Sequence, residues 1–140
     1  MNILVSACLL GINCKYNGKN NLNDNIMRMR EKHTLIPVCP EQLGGLETPR
    51  YPSEICGDKV INNQGKDVTE QYEKGAYEAL KIAKMCNCHI AILKERSPSC
   101  GSKHIYDGTF SKTLINGMGI CAKLLHDNGI EVYSEEDEIL

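Results

Sequence analysis

The stretch Asn2-Ile3-Leu4-Val5-Ser6-Ala7-Cys8 is an apolar run that stops on a cysteine, and Thr34-Leu35-Ile36-Pro37-Val38-Cys39 repeats the pattern. Short, uninterrupted apolar runs of this kind read as strands buried on both faces. Working outward, a third run from His89 to Leu93 leads into Lys94-Glu95-Arg96. A fourth, from Ile130 to Tyr133, precedes an acidic tail and is expected at a sheet edge. Between these runs the apolar residues recur every three or four positions. Leu22, Ile26 and Met29 mark one helix, Val68, Tyr72, Ala76, Leu80 and Ala83 a second, and Ile120, Leu124 and Leu125 a third. Asp67 followed by Glu70 resembles a capping box for the second helix, Gly75 weakens that helix slightly, and Gly129 sits where a left-handed cap ends the third.

Strands alternating with helices require right-handed crossovers and a mostly parallel sheet. The expected fold class is α/β: a single three-layer Rossmann-like domain over residues 1–140, with a mostly parallel sheet of about four or five strands. The length of 140 residues suits one core, and 41% hydrophobic against 24% charged residues argues for a globular chain. A net charge of −2 provides no global positive field for a nucleic-acid backbone, so stable nucleic-acid binding is not expected. There is no apolar run of membrane-spanning length, and too few apolar residues precede Cys8 for a signal-peptide core. The expected location is cytoplasmic, where eight cysteines more often bind metal, catalyse or pack than form disulfides.

The order of elements sorts those cysteines. Ligands of open parallel sheets bind outside the carboxyl ends of the strands. Cys8 follows the first strand, Cys39 the second, and Cys100 lies in the loop after the third, so all three are directed to one edge. Cys14, in the first loop, is a plausible fourth neighbour. Cys86 and Cys88 precede the third strand and fall at the opposite edge, Cys121 faces inward from a helix, and Cys56 cannot be placed. Any one free cysteine is more often simply packed, but three at successive strand ends suggest a shared site. Zinc sites favour four ligands with paired short spacings, which Cys86-Asn87-Cys88 does not provide. Three thiolates on a cubane iron–sulfur cluster leave one iron without a protein ligand, open to act as a Lewis acid. A zinc-stabilised binding module without catalytic activity stands as the alternative.

Other residues gather at the same edge. Glu41 stands two residues beyond Cys39, close enough for proton transfer, although an ordinary solvated carboxylate is the plainer reading. Ser97-Pro98-Ser99-Cys100-Gly101-Ser102 is a hydroxyl-rich loop suited to a polar ring or phosphate, or simply a turn. Lys94, Arg96, Lys103 and Arg50 flank it, as candidate phosphate partners or as a solvated charged face. The four histidines are scattered, with only His104 near the cysteine loop. Gly44-Gly45-Leu46 lacks the lysine of a P-loop.

Three long motifs, SACLLGINCKYNG from Ser6 to Gly18, CPEQLGGLETPR from Cys39 to Arg50 and KERSPSCGSKHIYDGTF from Lys94 to Phe110, together with GAYEALKIAK in the second helix, resemble the thiouracil desulfidase family over essentially the whole chain. The resemblance implies [4Fe–4S]-dependent, non-redox removal of sulfur from thiolated pyrimidines such as 4-thiouracil, 4-thiouridine or 4-thio-UMP, giving the uracil form and hydrogen sulfide. By motif position it places the cluster on Cys8, Cys39 and Cys100 with one open iron, and the catalytic roles on Glu41 and Ser97. Ser99, Ser102, Lys103 and Arg50 are the expected substrate contacts. Lys15 stands where the family commonly has arginine, and Glu47 where it commonly has proline; both bear on substrate preference. A tRNA thiouridine desulfurase with the same cluster is the rival within this chemistry.

Overall fold

The computed structural model describes residues 1–138. Its elements run β1 (Asn2–Ser6), α1 (Asp24–Arg28), β2 (Thr34–Val38), α2 (Pro40–Leu43), β3 (Ser53–Cys56), β4 (Lys59–Asn62), α3 (Thr69–Met85), β5 (Ile90–Leu93), β6 (His104–Tyr106), β7 (Leu114–Asn116), α4 (Ile120–Asp127) and β8 (Glu131–Ser134). The central sheet has the order β2-β1-β5-β8, with every pair parallel. The four apolar runs therefore form the sheet, and β8 is at an edge.

Strand β1 lies between two neighbours, so its side chains alternate between two dry faces, which is why its sequence is continuously apolar. Ile3 and Val5 pack with Leu9, Ile26 and Ile92 beneath α1. Leu4 points the other way, into the larger core formed by Ala91 and Leu93 with Ala76, Ala79, Leu80 and Ala83 of α3 and Ala122 and Leu125 of α4. The layers are unequal: two packed helices cover one face, and one short helix covers the other.

Several local expectations are revised. Leu22 is exposed and precedes the first helix; α1 begins after Asn23, whose side chain accepts from the Ile26 amide at 3.1 Å. Asp67 and Glu70 do not form a capping box. Instead, Asp67 turns back on Thr69, accepting from its amide at 2.9 Å and its hydroxyl at 2.6 Å. Gly75 is a packing requirement: a Cβ there would stand 1.8 Å from the Pro40 carbonyl oxygen, and one at Gly44 would stand 1.9 Å from that of Gln71. The two glycines let α2 lie directly on α3, fixing the segment that follows Cys39. The α4 cap is as expected. Gly129 has φ of 83°, its amide meets the His126 carbonyl at 3.0 Å, and the Ile130 amide meets that of Leu125 at 3.1 Å.

The two long connections also hold antiparallel hairpins, β3–β4 and β6–β7. Their strands of three or four residues are too short to show a period, and β7 is exposed throughout. Among the described residues no helix is long and apolar enough to cross a membrane.

Candidate active site at the carboxyl edge of the sheet

The carboxyl edge opens into a cavity of about 570 Å³ whose walls include Cys8, Cys14, Cys39, Glu41, Arg50, Ser97 and Cys100. Cys8 sits in a single 3-10 turn, Ala7–Leu10, that Gly11 closes at φ 86°. Cys39 is the residue before α2. Cys100 arrives on the loop after β5. The three thiols and Glu41 sense one another electrostatically. Burial raises the pKa of Cys8, and Glu41 and Cys39 add to that against a hydrogen bond from Asn21. Complete burial pushes Cys100 well above the ordinary thiol range, with Cys121, Glu41 and Cys8 adding to it. Cys39 goes the other way, because a hydrogen bond from the Cys14 thiol favours its thiolate against the cost of burial. Cys14 is correspondingly raised by that bond. It touches Cys39 and lines the cavity as well, the fourth neighbour anticipated from the sequence.

The remaining cysteines lie elsewhere. Cys88 and Cys121 are buried in the main core and Cys86 packs against it, while the Cys56 thiol points at the Gly108 carbonyl at 3.5 Å.

The Cys100 loop is clamped from two sides. The buried Glu95, in the run read as a charged face, accepts through Oε1 from the amides of Ser102 at 3.1 Å, Lys103 at 3.1 Å, His104 at 3.0 Å and Arg96 at 3.3 Å, and through Oε2 from the Ser102 hydroxyl at 3.1 Å. Burial works against its charge, but those amides, His104 foremost, hold its pKa below the usual carboxylate range. From the other side, the first amides of α4 take the loop's carbonyls: Ile120 meets Pro98 at 2.9 Å and Cys121 meets Ser99 at 2.8 Å. Gly119 is required there, since a Cβ would stand 2.4 Å from the Ser99 carbonyl carbon. Within the loop, the Ser97 hydroxyl oxygen accepts from the amides of Ser99 at 3.1 Å and Cys100 at 3.0 Å. With its lone pairs so engaged, its proton is available to the cavity.

The expected substrate contacts separate into two groups. Arg50 lines the cavity, but its guanidinium is already committed, to Glu41 Oε2 at 2.6 Å, the Cys14 carbonyl at 2.9 Å, Thr48 Oγ1 at 3.0 Å and the Glu47 carbonyl at 3.2 Å. Burial opposes its charge, and Glu41 more than compensates, raising the Arg50 pKa. Arg50 is therefore placed to hold Glu41 and has few donors left for a phosphate. Ser99, Ser102 and Lys103 do not line the cavity. Ser99 is fully buried beneath α4 with its hydroxyl unpartnered, Ser102 is turned onto Glu95, and Lys103 pairs with Asp137. The acidic tail also takes the other two flanking cations, Lys94 through Glu135 at 2.8 Å and Arg96 through Glu136 at 3.1 Å.

The sequence reading missed the aromatic wall. Of seven aromatic residues in the chain, Tyr16, Tyr51, Tyr72, Tyr106 and Phe110 line this cavity. The concentration of aromatics in and beside the motifs was the available signal. Glu54 of β3, also on the wall, was missed because its segment read as a loop.

The 2-thiouracil desulfurase family profile matches residues 3–137. The chain is 45% identical over 145 aligned positions to the uncharacterized protein YbbK of Bacillus subtilis (strain 168), covering 96% of each. Among solved structures it is similar to the [4Fe-4S]-dependent thiouracil desulfidase TudS, with a TM-score of 0.92 and 39% identity over 96% of this chain and 91% of that one.

Proposed function

The chain belongs to the 2-thiouracil desulfurase family, and on that premise we propose that it hydrolyses the carbon–sulfur bond of thiolated pyrimidines at a [4Fe–4S] cluster held by Cys8, Cys39 and Cys100. The observation that carries this reading is the convergence of those three thiols, from three different strand ends, on one aromatic-walled cavity that also holds Glu41 and Ser97. The donor set fits such a group. Thiolates on one tetrahedral zinc ion stand about 3.8 Å apart, and among the described residues no three Cys, His, Asp or Glu side chains are placed to share a single ion. A cubane presents its ligands at separate corners and accepts a wider spread. When bound through three cysteines, it supplies one iron open to a soft sulfur ligand and able to polarise the carbon that bears it.

The chain's own residues then have defined tasks. Arg50 fixes one oxygen of Glu41 at 2.6 Å, leaving Oε1 to take a proton from water. The Ser97 hydroxyl donates into the cavity and orients the ring or the water. Water supplies the oxygen of the uracil product, both its hydrogens depart with the sulfur as hydrogen sulfide, and no electrons are gained or lost. The cavity offers flat aromatic surfaces to a planar ring.

The test is sulfide release after anaerobic iron–sulfur reconstitution, measured side by side from 2-thiouracil, 4-thiouracil, 4-thiouridine, 4-thio-UMP and thiolated tRNA. Release from a free thiopyrimidine by brown protein carrying about four irons per chain is the expected result. Activity confined to tRNA would overturn the small-molecule reading. Colourless protein with stoichiometric zinc would overturn the cluster.

A further inference from the structure

The segment Asp107-Gly108-Thr109-Phe110-Ser111-Lys112 between β6 and β7 is strained and rigid at once. Phe110 and Lys112 are non-glycine residues with φ of 57° and 61°, a conformation that costs about 1 kcal/mol or more per residue and persists only where the surroundings impose it. The restraint on Phe110 is visible. Glu54 is buried in β3, and its Oε1 accepts from the amides of Gly108 at 3.0 Å and Phe110 at 3.1 Å. No cation pairs with Glu54 among the described residues, so its carboxylate is devoted to this loop. The Asp107 amide meets the Thr113 carbonyl at 2.9 Å, and hydroxyl contacts run from Thr109 to Ser111 at 2.6 Å and on to Thr113 at 2.8 Å. All this fixes a side chain that does not fill the core: Phe110 is 38% exposed and lines the same cavity as the three thiols. It is the chain's only phenylalanine.

We propose that Phe110 is the platform on which the substrate's pyrimidine ring stacks, and that Glu54 is the positioning residue that holds the platform over the cavity. The inference rests on the thiopyrimidine reading and deepens it by assigning ring recognition. An exposed aromatic gains from burying its face against a flat heteroaromatic ring. Fixing the backbone beforehand removes the ordering cost from the binding step. Strain imposed by a buried carboxylate on a cavity-facing residue is otherwise a loss of stability with no return.

The test uses reconstituted protein and two readouts: KM and kcat for 4-thio-UMP, and equilibrium binding of the product UMP by dialysis. Phe110→Leu is expected to weaken UMP binding and raise KM by about 5- to 100-fold while kcat stays within about threefold, and Phe110→Tyr should restore both. Glu54→Ala should mimic Phe110→Leu, and the double variant should fall no further than the worse single one, because both act through one platform. If Glu54→Ala does not fold, Glu54→Asp, which withdraws the carboxylate by one methylene, carries the positioning claim with an intermediate loss. Unchanged binding in Phe110→Leu overturns the platform, and fully multiplicative losses overturn the positioning role. Wild type inactive on 4-thio-UMP and on each of the other thiopyrimidines named above would instead defeat the thiopyrimidine reading, so the two failures are distinguishable.

Discussion

Replacing Glu95 should unfasten the Cys100 loop, and the structure gives the size of the effect. In Glu95→Ala the amides of Ser102, Lys103 and His104 lose the acceptor they share. Hydrogen bonds to a charged group contribute about 1.5–3 kcal/mol each, and three on one oxygen are not additive, so the expected loss is about 3–5 kcal/mol. Glu95→Gln keeps an acceptor oxygen and loses only its charge, for about 1–2 kcal/mol. The pH dependence has a definite sign. The folded carboxylate titrates below its unfolded value of about 4.3. Its contribution is therefore complete above the unfolded pKa and is lost as pH falls through the lower folded one. Urea titrations at pH 7 and at about pH 3.5 should show wild type and Glu95→Gln separated at the first and closer at the second. Reconstituted Glu95→Ala should also retain less iron than wild type, because the segment bearing Cys100 is no longer fixed. A Glu95→Ala midpoint within about 0.5 kcal/mol of wild type would refute the clamp.

Other substitutions probe neighbouring parts of the site. Ser99→Ala removes a buried hydroxyl that has no partner and should be neutral or stabilising by up to about 1 kcal/mol with turnover intact; a marked loss of turnover at unchanged stability would return Ser99 to the substrate contacts. Gly75→Ala drives a Cβ into the Pro40 carbonyl and should cost about 3 kcal/mol or more, seen as a lower melting temperature. Arg50→Lys cannot reproduce the fork that meets Glu41, Cys14 and Thr48, so kcat for 4-thio-UMP should fall about tenfold or more while iron content is kept; equal kcat would remove Arg50 from the placement of Glu41. Cys100→Ala should lose iron after anaerobic reconstitution, whereas Cys121→Ala, a core position, should keep it and lose only stability.

The central sheet was legible because its physics is written in local pattern. Apolar runs of five residues with helical spacing between them leave few alternatives to a parallel sheet, and the Cys8 and Cys39 positions follow from where those runs stop. What escaped was whatever depends on contacts distant in sequence. Glu95 looks like one member of a charged triplet until its loop folds back over nine residues to meet it. Gly44 and Gly75 look like a turn and a weak helix position until α2 and α3 are in contact. Arg50 reads as a free cation, yet Glu41 takes it. Lys94, Arg96 and Lys103 read as a basic cluster, but the tail Glu135-Glu136-Asp137 that follows β8 pairs with each. The motif resemblance pointed to Glu41 and Ser97 but not to the way each is held.

Three parts of the site are each secured by one charged residue that the hydrophobic core does not require. Arg50 ties Glu41 to the Cys14 backbone, Glu95 ties the loop of Ser97 and Cys100, and Glu54 ties the loop of Phe110. Burying a charge costs several kcal/mol before its partners compensate, so three such residues around one cavity are a poor way to stabilise a small fold. They are an effective way to hold side chains from separate loops within a fraction of an ångström, because charge-assisted bonds to backbone amides and carbonyls fix main-chain position where apolar packing would tolerate slippage. A parallel sheet delivers its strand ends to one edge but leaves the loops beyond them free. In this chain the buried charges perform that last step of placement, and for that reason disturbing them should alter ligand retention and substrate binding as well as stability.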